Sequence, residues 1–311
     1  MADKEMRAVY CETLIRMAAQ DKRIMILESD LMRASGTFPF KAAYPDRAIN
    51  VGVAEANMVG IAAGLSATGK IPFATTFACF ASRRAFDQFF LSANYAQLNV
   101  KLVGTDPGIT AAFNGGTHMP FEDVGVMRLI PGLSILEPSD SVSLEKLIEA
   151  SAAHSGCTYM RLPRKPAPTL YEPGESFSLG KGKVLREGKD ITIIALGVIL
   201  VNEAIKAAKI LEEQGVSAAI IDILSVKPLD RDLILSYASK TGRIVTAENH
   251  QVSGGLGGAV AELLSRERPT PIAMVGIHDE FGEVGTQDWL QERFKLTAAE
   301  IARQAQELMK K

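Results

Sequence analysis

Short, continuous apolar runs alternate along this chain with longer stretches in which apolar positions return every three or four residues. The runs predict strands at 24–27, 48–51, 73–76, 100–104, 134–137 and 158–162, and the periodic stretches predict helices at 5–19, 54–68, 82–95, 121–130 and 142–154. Strands that lack polar alternation and are separated by helices imply right-handed crossovers, hence a mostly parallel sheet covered on both faces. The rhythm stops in Arg161-Leu-Pro-Arg-Lys-Pro-Ala-Pro168 and Tyr171-Glu-Pro-Gly-Glu175, where closely spaced prolines exclude a helix. It then resumes with predicted strands at 191–195, 218–223, 244–248 and 272–277 and helices at 201–214, 230–238, 257–266, 286–294 and 297–310. Thr297 with Glu300 three residues on marks the start of the last helix. The expected architecture is α/β, with two doubly wound domains at 1–163 and 191–311 joined by a linker at 164–190.

Composition narrows the class. At 311 residues the chain exceeds one ordinary core, and 47% hydrophobic with 23% charged residues describes a folded, soluble protein. A net charge of -2 offers no basic field for nucleic acid and no polybasic anchor for a membrane. Cys11, Cys79 and Cys157 are far apart and form no CxxC pair. With a polar start and no apolar run of membrane length, they point to a cytoplasmic protein.

Candidate chemistry collects at the predicted strand-to-helix corners. In Asn50-Val-Gly-Val-Ala-Glu55 an acid opens a helix. Alone, Glu55 reads as a first-turn carboxylate favoured by the helix dipole. About twenty residues on, Phe73-Ala-Thr-Thr-Phe77-Ala-Cys-Phe80 begins a phenylalanine-rich segment in which Phe86, Phe89 and Phe90 have core spacing. Phe77 and Phe80 instead fall at the edge where open α/β sheets bind ligands. An acid beside such rings suits a flat, protonatable heterocycle of the aminopyrimidine kind.

The loop Val103-Gly-Thr-Asp106-Pro-Gly-Ile-Thr-Ala-Ala-Phe-Asn114-Gly-Gly-Thr-His118 is rich in glycine and short polar residues, the composition of a site loop. His118 is either a helix-flanking residue or a contact to a substrate hydroxyl, and Arg7 and Arg164 are either solvated or a clamp for an anionic tail. No Walker loop, GxGxxG, HExxH or GxSxG motif occurs. Gly254-Gly-Leu-Gly-Gly258 reads as a tight turn into a helix rather than a phosphate loop.

Taken in order, Ile26-Leu-Glu-Ser-Asp30-Leu31, Val51-Gly-Val-Ala-Glu55, Thr75-Thr-Phe77-Ala-Cys-Phe80, Gly115-Gly-Thr-His118, Leu136-Glu-Pro-Ser-Asp140, Thr246-Ala-Glu-Asn-His250 and Ile277-His-Asp-Glu-Phe281 resemble the C-terminal half of transketolase, in the form where that half is a separate chain. The resemblance covers nearly the whole sequence. It implies a pyrimidine-binding domain followed by a transketolase C-terminal domain, with thiamine diphosphate and Mg2+ as cofactors. Glu55 then resembles the glutamate that bonds the pyrimidine nitrogen, Phe77 and Phe80 the aromatic wall, Asp30 and Leu31 the cofactor-lining segment, and His118 the histidine near the reacting carbon of the donor ketose. Arg7 and Arg164 resemble arginines that hold the sugar's anionic end, and Ser35 a nearby serine displaced by one position. Asp106 stands where the family has a histidine, Asn114 where it has an aspartate, and Arg83 where it has a third aromatic residue.

No Gly-Asp-Gly occurs, so the resemblance leaves the diphosphate and metal to an N-terminal partner subunit, in an α2β2 assembly that is inactive without it. A carboxylate at 106 repels phosphate, so the implied substrate is an unusual ketose with an anionic end, branched or sulfonated. The alternatives are the beta subunit of a 2-oxoacid dehydrogenase decarboxylase, a deoxyxylulose phosphate synthase and a non-catalytic regulatory subunit.

Overall fold

A computed structural model describes residues 4–310. Twelve strands occur among them, β1 (Ile24–Glu28), β2 (Ala48–Asn50), β3 (Ile71–Phe77), β4 (Lys101–Thr105), β5 (Ser134–Leu136), β6 (Thr158–Leu162), β7 (Lys183–Arg186), β8 (Ile191–Ala195), β9 (Ala218–Asp222), β10 (Ser225–Lys227), β11 (Ile244–Gln251) and β12 (Ile272–Ile277). They form a seven-stranded sheet ordered β10-β5-β6-β4-β3-β1-β2 and a five-stranded sheet ordered β12-β11-β8-β9-β7. All pairings are parallel except those of the edge strands β10 and β7. Every residue of β1, β4, β5, β6, β8 and β9 is buried, as apolar strands covered by helices on both faces require.

On one face of the first sheet, helix Met6–Gln20 lies beside helix Ser141–Ala153 over a core that includes Tyr10, Leu14, Ile26, Phe73 and Leu147. On the other, helix Glu55–Ala67 packs its Met58 and Val59 in a core with Leu27, Ala74 and Phe89. That second core continues without a break into Ile223, Val226, Ile234, Leu256 and Val260, so the halves share one interior.

Three expectations are corrected. The segment 164–190, read as a linker, carries no helix but supplies β7, whose mostly half-buried, polar-flanked Lys-Val-Leu-Arg gives no strand signal of its own. The second half also lends β10 to the first sheet, antiparallel to β5. The single helix expected at 82–95 is broken into helices Ala78–Arg83 and Phe86–Gln88 and a π-helical segment Phe89–Tyr95. There the Asn94 side-chain Nδ2 donates to the Phe89 carbonyl at 2.7 Å, and Phe89 and Ala93 are buried in the core.

A buried polar seam joins the halves. Arg161 on β6 is fully enclosed, and its guanidinium donates to Asp123 Oδ2 at 2.9 Å, Glu137 Oε2 at 2.6 Å and the Asn249 carbonyl at 2.9 Å. Tyr159 Oη donates to the same Asp123 oxygen at 2.7 Å. Asp222 Oδ2 accepts from Tyr171 at 2.7 Å and from Ser139, and burial pushes its carboxyl up to about 7. Glu248 accepts from Leu256 N at 2.6 Å and Gly257 N at 2.7 Å, so an internal carboxylate occupies the start of helix Leu256–Glu267. The turn reading of Gly254-Gly-Leu-Gly-Gly258 matches that geometry, because a Cβ on Gly255 would strike the Glu248 carboxylate.

Candidate active site

The singled-out residues lie beyond the carboxyl ends of β1, β2, β3, β4 and β6. Chain order reverses between β1 and β3, so this edge is the switch point where parallel sheets leave a crevice. Phe77 is the last residue of β3, and Phe80 stands one turn into the helix that follows, which puts both half-buried rings on one side. Their centroids are 5.9 Å apart, and the His118 ring meets Phe77 at 5.9 Å and Phe80 at 5.2 Å, edge-on to both. His118 Nδ1 is 2.9 Å from Thr117 Oγ1.

Glu55 opens helix Glu55–Ala67 with its side chain only 5% exposed, and its Oε1 accepts from Arg84 Nη1 at 3.1 Å. The Arg84 guanidinium lies 3.8 Å from the Phe80 ring centroid, so one cation bridges the acid and the aromatic wall. Arg83, expected at the cofactor, turns instead to the loop, donating to the Thr117 carbonyl at 2.8 Å and lying 3.4 Å from Glu122.

On the far side of Phe77, the Arg164 guanidinium is 5.5 Å from its ring centroid. Arg164 Nε sits 2.7 Å from Asp106 Oδ1, and burial raises the Asp106 carboxyl although Arg164 opposes the shift. Arg7 grips Glu5 through Nε at 2.7 Å and Nη2 at 3.1 Å, and donates to the Ala34 carbonyl at 3.1 Å. Asp30 is exposed and its amide donates to Asn50 Oδ1 at 3.0 Å, Leu31 is half-buried beside it, and Asn114 is exposed on the loop. Ser35 departs from expectation. Its hydroxyl points into the core and donates to Glu28 Oε1 at 2.6 Å, as does Thr37 at 2.6 Å, which leaves it turned away from any sugar. Burial pushes Glu28 up to about 7.

The loop is pinned from the second half. Asn249 Oδ1 accepts from Ile109 N at 3.0 Å and its Nδ2 donates to the Pro107 carbonyl at 3.1 Å, and Gly108 leaves room for the amide. Asp30, Asp106 and Ala112 have φ of 61°, 54° and 47°, backbone uncommon outside glycine and frequent where loops build a site. Asn249 escaped sequence reasoning because nothing local marks it as a clamp. A groove of about 830 Å3, lined by Tyr95, Gln97, Asn99, Ile130 and Cys157 among others, lies at the opposite, amino-terminal edge of the sheet. Among the described residues no cluster of three or more His, Cys, Asp or Glu could hold a metal, and no helix is long and apolar enough to cross a membrane.

A carboxyl group nearly shut off from water and linked through Arg84 to a cluster of three rings fits an aromatic nitrogen heterocycle such as the pyrimidine of thiamine diphosphate. Comparison with known proteins agrees. Residues 2–169 match the transketolase pyrimidine binding domain and residues 180–301 the transketolase C-terminal domain. The chain is 52% identical over 303 residues, 97% of its length and 94% of the relative's, to a 6-deoxy-6-sulfo-D-fructose transketolase subunit SqwH from Clostridium sp. (strain MSTE9). It is 36% identical over 306 residues, 98% and 97% of the two lengths, to a subunit of an apulose-4-phosphate transketolase from Phocaeicola vulgatus. A solved split-gene transketolase, in an inactive beta4 tetramer, superposes with a TM-score of 0.92 at 41% identity over 99% of both chains.

Proposed function

Since this chain belongs to the transketolase family, we propose that it is the C-terminal subunit of a two-chain enzyme acting on a sulfonated ketose, cleaving its C2–C3 bond and joining the two-carbon ketol unit to an aldose aldehyde carbon. The observation that carries the reading is the unbroken line of contacts from Glu55 through Arg84, Phe80, His118 and Phe77 to Arg164. It sets an acid for a coenzyme ring at one end and a cation for an anionic sugar tail at the other. Full-length similarity at 52% to a sulfofructose transketolase subunit, against 36% to an apulose phosphate one, favours the sulfonated donor.

Thiamine diphosphate, when bound, supplies a stabilised carbanion equivalent for ketol transfer. Glu55, its side chain nearly shut off from water, would hold the proton at its pyrimidine nitrogen. Phe77 and Phe80 would flank the ring, with Asp30 and Leu31 along the same margin. His118 is placed to hydrogen-bond donor hydroxyls near the bond that breaks, Asn114 to meet an acceptor hydroxyl, and Arg7 with Arg164 to receive the anionic end. Arg83 holds the loop carrying His118 rather than the coenzyme. The diphosphate and Mg2+ fall to an N-terminal partner in an α2β2 assembly, and three buried free cysteines support a cytoplasmic setting.

The test is co-production with the N-terminal subunit, then assay with thiamine diphosphate, Mg2+ and an aldose phosphate acceptor. The reading expects 6-deoxy-6-sulfofructose to be consumed at higher kcat/KM than xylulose 5-phosphate or fructose 6-phosphate. Turnover of the phosphates alone overturns it.

A further inference from the structure

Asp106 and its neighbours form a charge cluster whose count is informative. The Met6 amide donates to the Lys165 carbonyl at 3.3 Å and the Arg7 amide to the Arg164 carbonyl at 3.4 Å, so the two arginines come side by side from distant segments. Around them stand Glu5 on Arg7 and Asp106 on Arg164, with Lys165 next in the chain. Three cations and two carboxylates leave one net positive charge, where two bare arginines and a lysine would present three. The carboxylates differ in standing. The Glu5 side chain is 46% exposed to water, whereas that of Asp106 is 4% exposed and its amide is tied to the Leu162 carbonyl at 3.1 Å.

We propose that Asp106 is a specificity determinant that fits this subsite to a singly charged sulfonate and disfavours a doubly charged phosphate. The inference rests on the ketol-transfer reading for the position of the substrate's tail, and on the cluster alone for its charge preference. Attraction to a fixed cluster grows in proportion to ligand charge, but the cost of stripping water from the ligand grows with its square. A half-buried site of net charge +1 is therefore matched by a sulfonate, which stays monoanionic, while a phosphate ester near pH 7 brings close to two charges. The second charge faces a carboxylate that cannot retreat. At about 5 Å and an effective dielectric of about 20, one extra unit of like charge is worth on the order of a hundredfold in an equilibrium constant. Screening and the adjoining arginines reduce that, so roughly tenfold to a hundredfold is the expected discrimination.

Asp106→Asn removes the charge and keeps the shape, and asparagine tolerates the positive φ of 54° found here as readily as aspartate. Asp106→Ser is the second variant, and a melting curve on the intact two-chain complex checks that each folds. Two readouts are taken on that complex. One is the kcat/KM ratio for 6-deoxy-6-sulfofructose against fructose 6-phosphate, with thiamine diphosphate present. The other is the calorimetric affinity ratio for the same two sugars with no coenzyme and no turnover. The proposal expects both ratios to fall by tenfold or more in folded variants, chiefly through gain on the phosphate sugar. If the complex turns over the sulfonated sugar but neither ratio moves in the variants, the proposal is overturned and the ketol-transfer reading stands. If it turns over no sulfonated sugar while the binding ratio still shifts, the charge assignment stands and the ketol-transfer reading falls. Binding of neither sugar, or of both equally, overturns the proposal.

Discussion

Replacing Arg161 by methionine tests how the two halves are held together. The guanidinium lies between Asp123 and Glu137 with none of its surface exposed, and reaches across to the Asn249 carbonyl. A methionine side chain there would fill much of the volume but leave two carboxylates facing each other out of water. Removing one member of a buried ionic network costs about 3–5 kcal/mol, because the remaining charges lose their counter-ion and not their desolvation. For 311 residues unfolding with an entropy of about 2.1 cal/mol/K per residue, that is a fall in Tm of roughly 5–8 °C. The sign with pH is fixed by the same reasoning. Burial already raises the Glu137 carboxyl even with Arg161 against it, so without the arginine Glu137 takes up a proton more readily in the folded state. Protonation relieves the repulsion, and the variant's deficit should be largest at pH 8 and shrink toward pH 5. Urea titrations of wild type and variant at both values measure it. A deficit below about 1 kcal/mol at pH 8, or one unchanged at pH 5, refutes the reasoning. The triple variant Arg161→Met, Asp123→Asn, Glu137→Gln should recover most of the loss, since no charge is then left stranded.

At the site itself, Glu55→Gln in the reconstituted complex should lower kcat by about a hundredfold or more with little change in melting temperature, since a proton-holding group is lost while its contact to half-exposed Arg84 contributes little to folding; kcat within threefold of wild type would remove Glu55 from its proposed role. Glu28, Asp222 and Glu248 have carboxyls raised to about 7, 7 and 8, so their contribution is full below the unfolded values near 4 and is lost progressively as pH rises from there to 7 or 8. Stability should therefore decline between pH 6.5 and 8, a window above the range in which His250, held neutral with its value lowered to about 4, costs stability on acidification. Glu28→Gln should make that decline shallower, and denaturant midpoints that fall equally steeply in both proteins would contradict the assignment. Gly255→Ala places a methyl against the buried Glu248 carboxylate and should destabilise by about 2–4 kcal/mol, read by chemical denaturation.

What could be read from sequence follows the physics of each element. β8 and β9 are apolar throughout because parallel strands are covered on both sides, and such runs stand out without knowledge of neighbours. β10 is three residues long and is a strand only because β5 lies beside it, a fact with no local trace. Glu55, Phe77 and Phe80 stand out as candidates because each occupies a strand-to-helix corner, and His118 because its loop is rich in glycine and short polar residues. Arg161 was not, since an arginine two residues from a proline-rich segment looks like surface until its three buried partners are seen. Ser35 and Arg83 are near the candidate site, but their side chains turn to Glu28 and to the Thr117 carbonyl. The first is in a single turn of helix, Met32–Ser35, that faces it inward, and the second exchanges places with Arg84 by one step of helical rotation.

The loan of β10 to the first sheet has a consequence for how the chain is made. A ribosome delivers all of the first six strands well before Ser225–Lys227 emerges, and until then the outer rim of β5 shows unpaired amide and carbonyl groups to its surroundings. A nascent chain stalled in that interval, or a gene fragment stopped near residue 170, would expose a rim able to recruit strands from other molecules. Synthesis in one uninterrupted piece is thus the molecule's own safeguard against clumping.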